Sequence, residues 1–315
     1  MDHNYKYSLK NPNFLNIGYI NAVANLNDKR DRSAPSSYHW KILKCRMLIF
    51  SNSSILACPD KTDVKQIHVI FNKVGDDYDM LNSMFLRFSL IQQGRIKNAT
   101  PELFERCFHY TMTAKLAPVW NVLGYNFMIN NREFLTSTKS EDGIKYSIRS
   151  SELVTAIELK PVKIHLIRSK EEFVVGETIR VLPSLNKACI DDFCNSLSES
   201  NNFKCYKDLR RHWKNIHGYR LPNDECPYYK VRFWRGEPLT YPKICILKDF
   251  PIVTPVQRPR ENIILANFLD CLKSKMSHFL GMTLIIEGVD NVRHQSIVNM
   301  SETQAVSLCT PTQEV

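Results

Sequence analysis

Apolar and polar residues follow two rhythms along this chain, one of period two and one of helical spacing, and the changes between them mark out its elements. The stretch "FLNIGYINAVANL" (14–26) is rich in β-branched and aromatic residues and predicts a strand, ended by the charged, Pro-containing loop "NDKRDRSAPSS". In "YHWKILKCRMLIF" the residues Trp40, Leu43, Met47 and Phe50 recur at helical spacing with Ser37 as N-cap, which predicts a helix. "VKQIHVIF" (64–71) predicts a strand, and "DDYDMLNSMFLRFSLIQQG" (76–94) a helix capped by Gly94. Thr100 and Pro101 suit the N-cap and first position of a short helix, after which "FHYTMTAKLAPVWNVLGYNFMI" (108–129) predicts two strands around Pro118 and Gly124. "GIKYSIRS", "LVTAIELK" and "VKIHLIRS" alternate with period two and predict an antiparallel meander.

A more helical region begins near Leu185. "LNKACIDDFCNSL" and "YKDLRRHWKNIH" predict helices, and "YYKVRFW" with "LTYPKICIL" a hairpin around Arg235-Gly236. "RENIILANFLDCLKSKMSHFLG" (260–281) predicts a long amphipathic helix that closes at Gly281 and docks on the sheet through Ile264, Phe268, Leu272, Met276 and Phe279. The expected class is α+β, a mixed, mainly antiparallel sheet with flanking helices, in one large or two closely packed domains. The expected divisions are 1–184, which holds the strand meander, 185–287, which holds a basic finger-like helix, and 288–315, a flexible tail poor in large apolar groups.

Composition narrows the function classes. With 315 residues, 43% of them hydrophobic, the chain can bury a core without a staple. Its ten cysteines, at 45, 58, 107, 189, 194, 205, 226, 245, 271 and 309, have no framework spacing, and the polar start "MDHNYKYSLK" lacks a secretory apolar segment. Reduced thiols and a nuclear, otherwise cytoplasmic, location are expected. No run approaches 18 apolar residues, so no membrane partner is expected. The net charge of +10 favours anionic partners.

That charge is concentrated. Residues 201–235 hold nine cations (Lys204, Lys207, Arg210, Arg211, Lys214, Arg220, Lys230, Arg232 and Arg235) against three acids, a net +6 of the chain's +10. Tyr206, Trp213, Tyr219 and Trp234 are interleaved with them, a pattern that suits a phosphate backbone tracked by cations with bases stacked on rings. The expected contact residues are the nine cations with Trp213 and Tyr219. The same stretch resembles half a zinc finger, with Phe203, Leu209, His212 and His217 at the template's spacing. Tetrahedral zinc needs two further ligands, yet Ser196, Leu197, Ser198 and Glu199 stand where the cysteine pair would fall, and Cys189 and Cys194 look like inward positions of a separate helix. No metal and no other cofactor is expected.

The sequence lacks a G-x-x-x-x-G-K-[ST] loop, a G-x-G-x-x-G turn, an H-E-x-x-H pair and a G-x-S-x-G elbow. One catalytic layout remains. Asp142 with Glu158 and Lys160 has the D-x(n)-E-x-K order in which two carboxylates on adjacent strands hold Mg2+ and a lysine helps activate water.

"TAKLAPVWN" (113–121), "RHWKNIHGYRLP" (211–222), "LTYP" (239–242) and "FLDCLKSK" (268–275) resemble, in wording and order, the spaced motifs of an uncharacterised animal family. That family carries a domain-of-unknown-function label and includes a human chromosome-18 open-reading-frame protein. The resemblance spans most of 14–287 and implies one evolutionary module without an assigned activity, whose finger-like helix also lacks a cysteine pair. The expectation is a non-enzymatic nuclear interaction protein that contacts nucleic acid or an acidic chromatin partner, with a protein partner and no small-molecule substrate. A protein-binding scaffold and a Mg2+-dependent nuclease-like protein are the alternatives.

Overall fold

The computed structural model describes residues 4–25, 37–195, 197, 203, 205–234 and 236–289. Its α+β architecture rests on three antiparallel sheets. In the first, β2 (Ile17–Ala24), β3 (Ile55–Pro59), β4 (Gln66–Asn72) and β5 (Leu90–Asn98) lie in the order β3-β4-β2-β5, and α1 (Ser37–Ser51) and α2 (Asp77–Arg87) cover it. The second runs β18-β1-β9-β8-β7-β6, with β15 also on β9. Its strands are β1 (Tyr5–Lys10), β6 (Asn121–Leu123), β7 (Phe127–Ile129), β8 (Glu141–Ser150), β9 (Val154–His165), β15 (Ile252–Pro255) and β18 (Ile286–Gly288). It therefore takes strands from both sides of residue 184.

The third sheet orders β13 (Leu239–Pro242), β12 (Tyr228–Arg232), β11 (Asn186–Cys194), β10 (Thr178–Val181) and β14 (Ile246–Leu247). Helix α4 (Tyr206–His217) enters a core with Val162 and Ile164 of β9 through Leu209 and Trp213. Helix α3 (Pro101–Leu116) is the hub. It packs Phe104, Cys107, Phe108, Met112 and Leu116 in one core with Leu56 and Ile70 of the first sheet and Ile144, Ile157 and Leu159 of the second. Helix α5 (Arg258–Lys275) joins that core by Ile264, Phe268 and Leu272, with Met276 and Phe279 beyond its end, as the apolar stripe predicts. A hairpin of β16 (His278–Phe279) and β17 (Met282–Thr283) follows it.

Several elements differ from the sequence reading, each for a physical reason. Residues 108–116 continue α3 instead of forming a strand: their aromatic and β-branched content favours β, but burial between two sheets at helical spacing decides the matter. Helix α2 stops at Arg87, and Gly94, at φ +80°, lies in β5, where the register against β2 shifts between Tyr19 and Asn21. The expected second and third strands of the meander are one long strand, β9. Its Pro161 falls between the residues that pair with β1 and those that pair with β15, where an edge N–H has no partner to lose.

Residues 186–194 form strand β11, not a helix, with Ala188 and Ile190 turned inward, so Cys189 is exposed and Cys194 half-buried. In α1 the buried side is Trp40, Ile42, Cys45, Leu48 and Ile49, while Phe50 is 57% exposed. Strand β3, which the sequence reading did not mark, lies fully buried through Ile55, Leu56 and Ala57. Gly281 does not close α5, which ends at Lys275; at φ +73° it turns the β16–β17 hairpin. Residues 290–315, most of the expected tail, lie outside the described residues, as do Lys204 and Arg235.

Candidate nucleic-acid interface

Among the described helices, α4 is the most strongly two-sided. Leu209, Trp213 and Ile216 are buried on one side, and Lys207, Arg211 and Lys214 are exposed on the other. The helix ends at Gly218, whose φ of +77° and N–H bond to the Lys214 carbonyl (3.0 Å) make a left-handed cap. The chain then folds back along the helix. Arg210 donates to the Leu221 carbonyl (3.3 Å) and to Asn223 Oδ1 (2.7 Å), and the Tyr206 hydroxyl donates to the Pro222 carbonyl (3.0 Å). Arg210 is thus a brace for the return loop as well as a cation, and Arg220 stands exposed at the turn.

Two depressions flank this unit. One, of about 720 Å³, lies between the outer side of α4, the return loop and residues 133–136, and is lined by Lys207, Arg210, Arg211, Lys214 and Arg220 with Glu133 and Asp224. The other, of about 770 Å³, lies between the ends of α1, α2, α3 and α4, where Arg46, Arg87 and Phe50 join Lys214 and Arg220. Lys214, Asn215 and Arg220 line both, so the two depressions adjoin across these side chains and together make up the groove along α4. Seven cations face it against two acids, a bias that concentrates anions.

Arg46 is distinctive. Its guanidinium lies 5.4 Å from the Phe50 ring centroid and makes no hydrogen bond to a described residue, while burial pulls its pKa below the ordinary arginine value. A desolvated cation without an acceptor gains most from an incoming anion. Arg46 and Arg87 were not legible as site residues, because nothing in the spacing of α1 or α2 says that their ends meet α4.

The remaining expected contacts lie elsewhere. Trp213 and Tyr219 are core residues, 3% and 0% exposed. Trp213 meets His217 and Tyr241 ring to ring, and the Tyr219 hydroxyl donates to the Val122 carbonyl, so neither ring is offered to a base. Lys230 and Arg232 project from β12 and are paired with Asp192 (3.5 Å) and Asp191 (2.6 Å) of β11. Trp234, 95% exposed, stands at the β12–β13 turn, and Phe50 is the exposed ring inside the groove.

The finger-like histidines belong to a ring cluster at the α1–α4 seam. His212 lies 4.7 Å from His39 and 4.8 Å from Phe203 between ring centroids, and His217 lies 4.8 Å from Trp213. Burial, reinforced by His39, pushes His212 down to about 4. Burial, reinforced by His212, His39 and Arg46, pushes His217 down to about 3, so both are neutral near pH 7. Among the described residues no three His, Cys, Asp or Glu side chains are grouped to hold a metal ion.

The nuclease layout is not assembled. Asp142 lies opposite Lys163 and Glu158 opposite Ser147, five residues further along β8, a separation of about 17 Å at the strand rise. Asp142 is already ion-paired with Lys163 (2.7 Å) and accepts from Arg260, and Glu158 pairs with Lys6 (3.4 Å). Burial opposes the ionisation of Asp142, but its bonds from Arg260 and Lys163 outweigh that and hold its carboxyl below the ordinary carboxylate value.

Likenesses to characterised proteins are loose. Over 171 residues, 53% of this chain and 35% of the other, the chain is 24% identical to the mitochondrial cytochrome b-c1 complex subunit 1 of Saccharomyces cerevisiae. Among solved structures it is similar to Marinitoga piezophila Argonaute in complex with guide RNA and target DNA (TM-score 0.35, 10% identity, 86% of this chain and 35% of that one). It is also similar to Drosophila Piwi (TM-score 0.36, 12% identity, 87% and 40%). The chain thus spans about a third of the length of these proteins, and the likenesses are too loose to carry a fold or a function across. The family-level match is of another order: one family model covers residues 7–179 and 163–257, and the chain belongs to that family, described as Domain of unknown function (DUF4708).

Proposed function

We propose that this protein is a non-enzymatic nucleic-acid-contacting protein whose groove along α4 tracks a phosphate backbone, and that it works in the nucleus. One observation carries the reading: five of the cations singled out in the sequence meet Arg46 and Arg87, from two distant helices, in one groove with two acids. Backbone contact of this kind positions a strand without reading its bases. The buried Trp213 and Tyr219 leave Phe50 as the ring to stack a base, so sequence preference is expected to be slight. The resemblance to animal relatives, including the human chromosome-18 protein, belongs to the same reading.

Fluorescence anisotropy of labelled single-stranded DNA and RNA, titrated with the protein between 50 and 200 mM salt, tests it. Affinity that falls steeply and linearly with salt on logarithmic axes is the expected result. Salt-independent affinity, or none, favours the protein-binding scaffold.

A further inference from the structure

A separate cleft of about 460 Å³ opens between the middle of α3, the β3–β4 loop, the β6–β7 turn and the later half of β8. Its floor carries no net charge. His109 Nε2 lies 2.7 Å from the hydroxyl of Tyr146, which is 4% exposed. Burial, reinforced by Lys61, pushes His109 down to about 4, so the pair is a neutral, hydrogen-bonding surface near pH 7. Tyr125 projects over it at 79% exposure, with its ring centroid 6.1 Å from that of His109.

The rim, in contrast, is cationic, with Lys61, Arg106 and Arg149. The one acid there is occupied. Glu105 accepts from the Ser150 N–H (2.9 Å) and lies 4.0 Å from Arg149. Half-buried Arg106 has neither a hydrogen bond nor a carboxylate partner among the described residues, although a guanidinium presents five donors in a fork matched to phosphate. An aromatic wall over a neutral polar floor suits a flat, uncharged heterocycle. A rim cation without an acceptor suits a phosphate attached to that heterocycle, and the volume lies in the range of small-ligand sites.

We infer that this cleft binds a nucleoside monophosphate unit, with the base against Tyr125 and His109 and the phosphate on Arg106. The same chemistry is offered by a free nucleotide and by one residue of a nucleic-acid strand. Arg106 and Tyr125 make no side-chain bond that holds the fold, so variants at both are expected to fold, which circular dichroism verifies.

Isothermal titration of the full chain with AMP, adenosine and inorganic phosphate tests the inference. AMP is expected to bind about tenfold or more tightly than either fragment, as for a charge-assisted contact added to stacking. Arg106→Gln is expected to lower AMP affinity to the level of adenosine, and Tyr125→Ala to weaken AMP and adenosine together. Lys273→Gln, on the exposed side of α5 and outside both sites, is expected to leave AMP binding unchanged. Competition between AMP and oligo(dA) for the cleft, abolished by Arg106→Gln, would identify a strand as the source. Simultaneous binding of AMP and oligo(dA) would identify a free nucleotide. AMP that binds no better than phosphate, or as well to both variants as to the parent, would overturn the site.

Discussion

The backbone of Gly218 passes so close to Ala117 that a Cβ placed on it would lie 2.6 Å from the Ala117 Cβ. Gly218 caps α4 and Ala117 caps α3, so this contact sets how the two helices meet at the centre of the groove. The φ of +77° independently requires glycine there. Gly218→Ala is therefore expected to cost about 1–3 kcal/mol from the left-handed backbone alone, with the clash added to it. Because Lys214 and Arg220 flank the contact, the variant is also expected to bind single strands more weakly at saturating folded protein. A thermal melt alongside an anisotropy titration reads both effects.

Trp213→Ala separates fold from interface. The ring is buried among His217, Tyr219 and Tyr241, and its truncation is expected to destabilise the protein by about 3–5 kcal/mol. The protein that remains folded is expected to bind with an unchanged salt slope, because no backbone contact is removed. A selective loss of single-strand affinity at unchanged stability would return the ring to the interface.

The sequence was most legible where local signals agreed with burial. Thr100 and Pro101 start α3, the stretch "YKDLRRHWKNIH" is α4 from end to end, and the stripe of Ile264, Phe268 and Leu272 marks the docked side of α5. It was least legible where neighbours in space decide. Residues 108–116 become helical between two sheets, and Cys189 and Cys194 sit on a strand because β10 and β12 flank it. The site divides in the same way. A run of cations along α4 is visible in one dimension, whereas Arg46 and Arg87 join it through helix packing, and Trp213 and Tyr219 leave it by turning into the core.

The histidine seam predicts acid sensitivity. His212 and His217 have folded pKa values of about 4 and about 3, below the ordinary 6.5, so the folded state resists their protonation. Their contribution is fully present above pH 6.5 and is lost as pH falls toward 4, because the unfolded chain takes up protons first. At about 1.4 kcal/mol per unit of pKa difference, the loss amounts to several kcal/mol. Denaturant midpoints measured from pH 7 to pH 4 are expected to fall steeply, and a His212→Gln, His217→Gln double variant to show a flatter profile.

Glu158→Gln tests the dismantled nuclease layout. Glu158 is partly exposed and pairs with Lys6, so its neutralisation is expected to change stability by less than about 1 kcal/mol. Incubated with labelled DNA and Mg2+, parent and variant are expected to leave the substrate equally intact. Cleavage by the parent that the variant loses would require Asp142, Glu158 and Lys160 to act together across the strand separation observed.

The groove itself is tested most directly by the salt slope of binding. Lys207, Arg211, Lys214 and Arg220 are the exposed cations of α4 and its turn, whereas Arg210 braces the return loop and is best left intact. Each phosphate contact adds about 0.7 to the negative slope of log affinity against log salt on single strands. Changing all four to Gln is expected to flatten that slope by up to about 3 units and to weaken every sequence alike, with the melting temperature nearly unchanged. A fourfold variant that binds with the parent's affinity and the parent's slope would show the groove to be no more than a solvated basic surface, and would contradict the account.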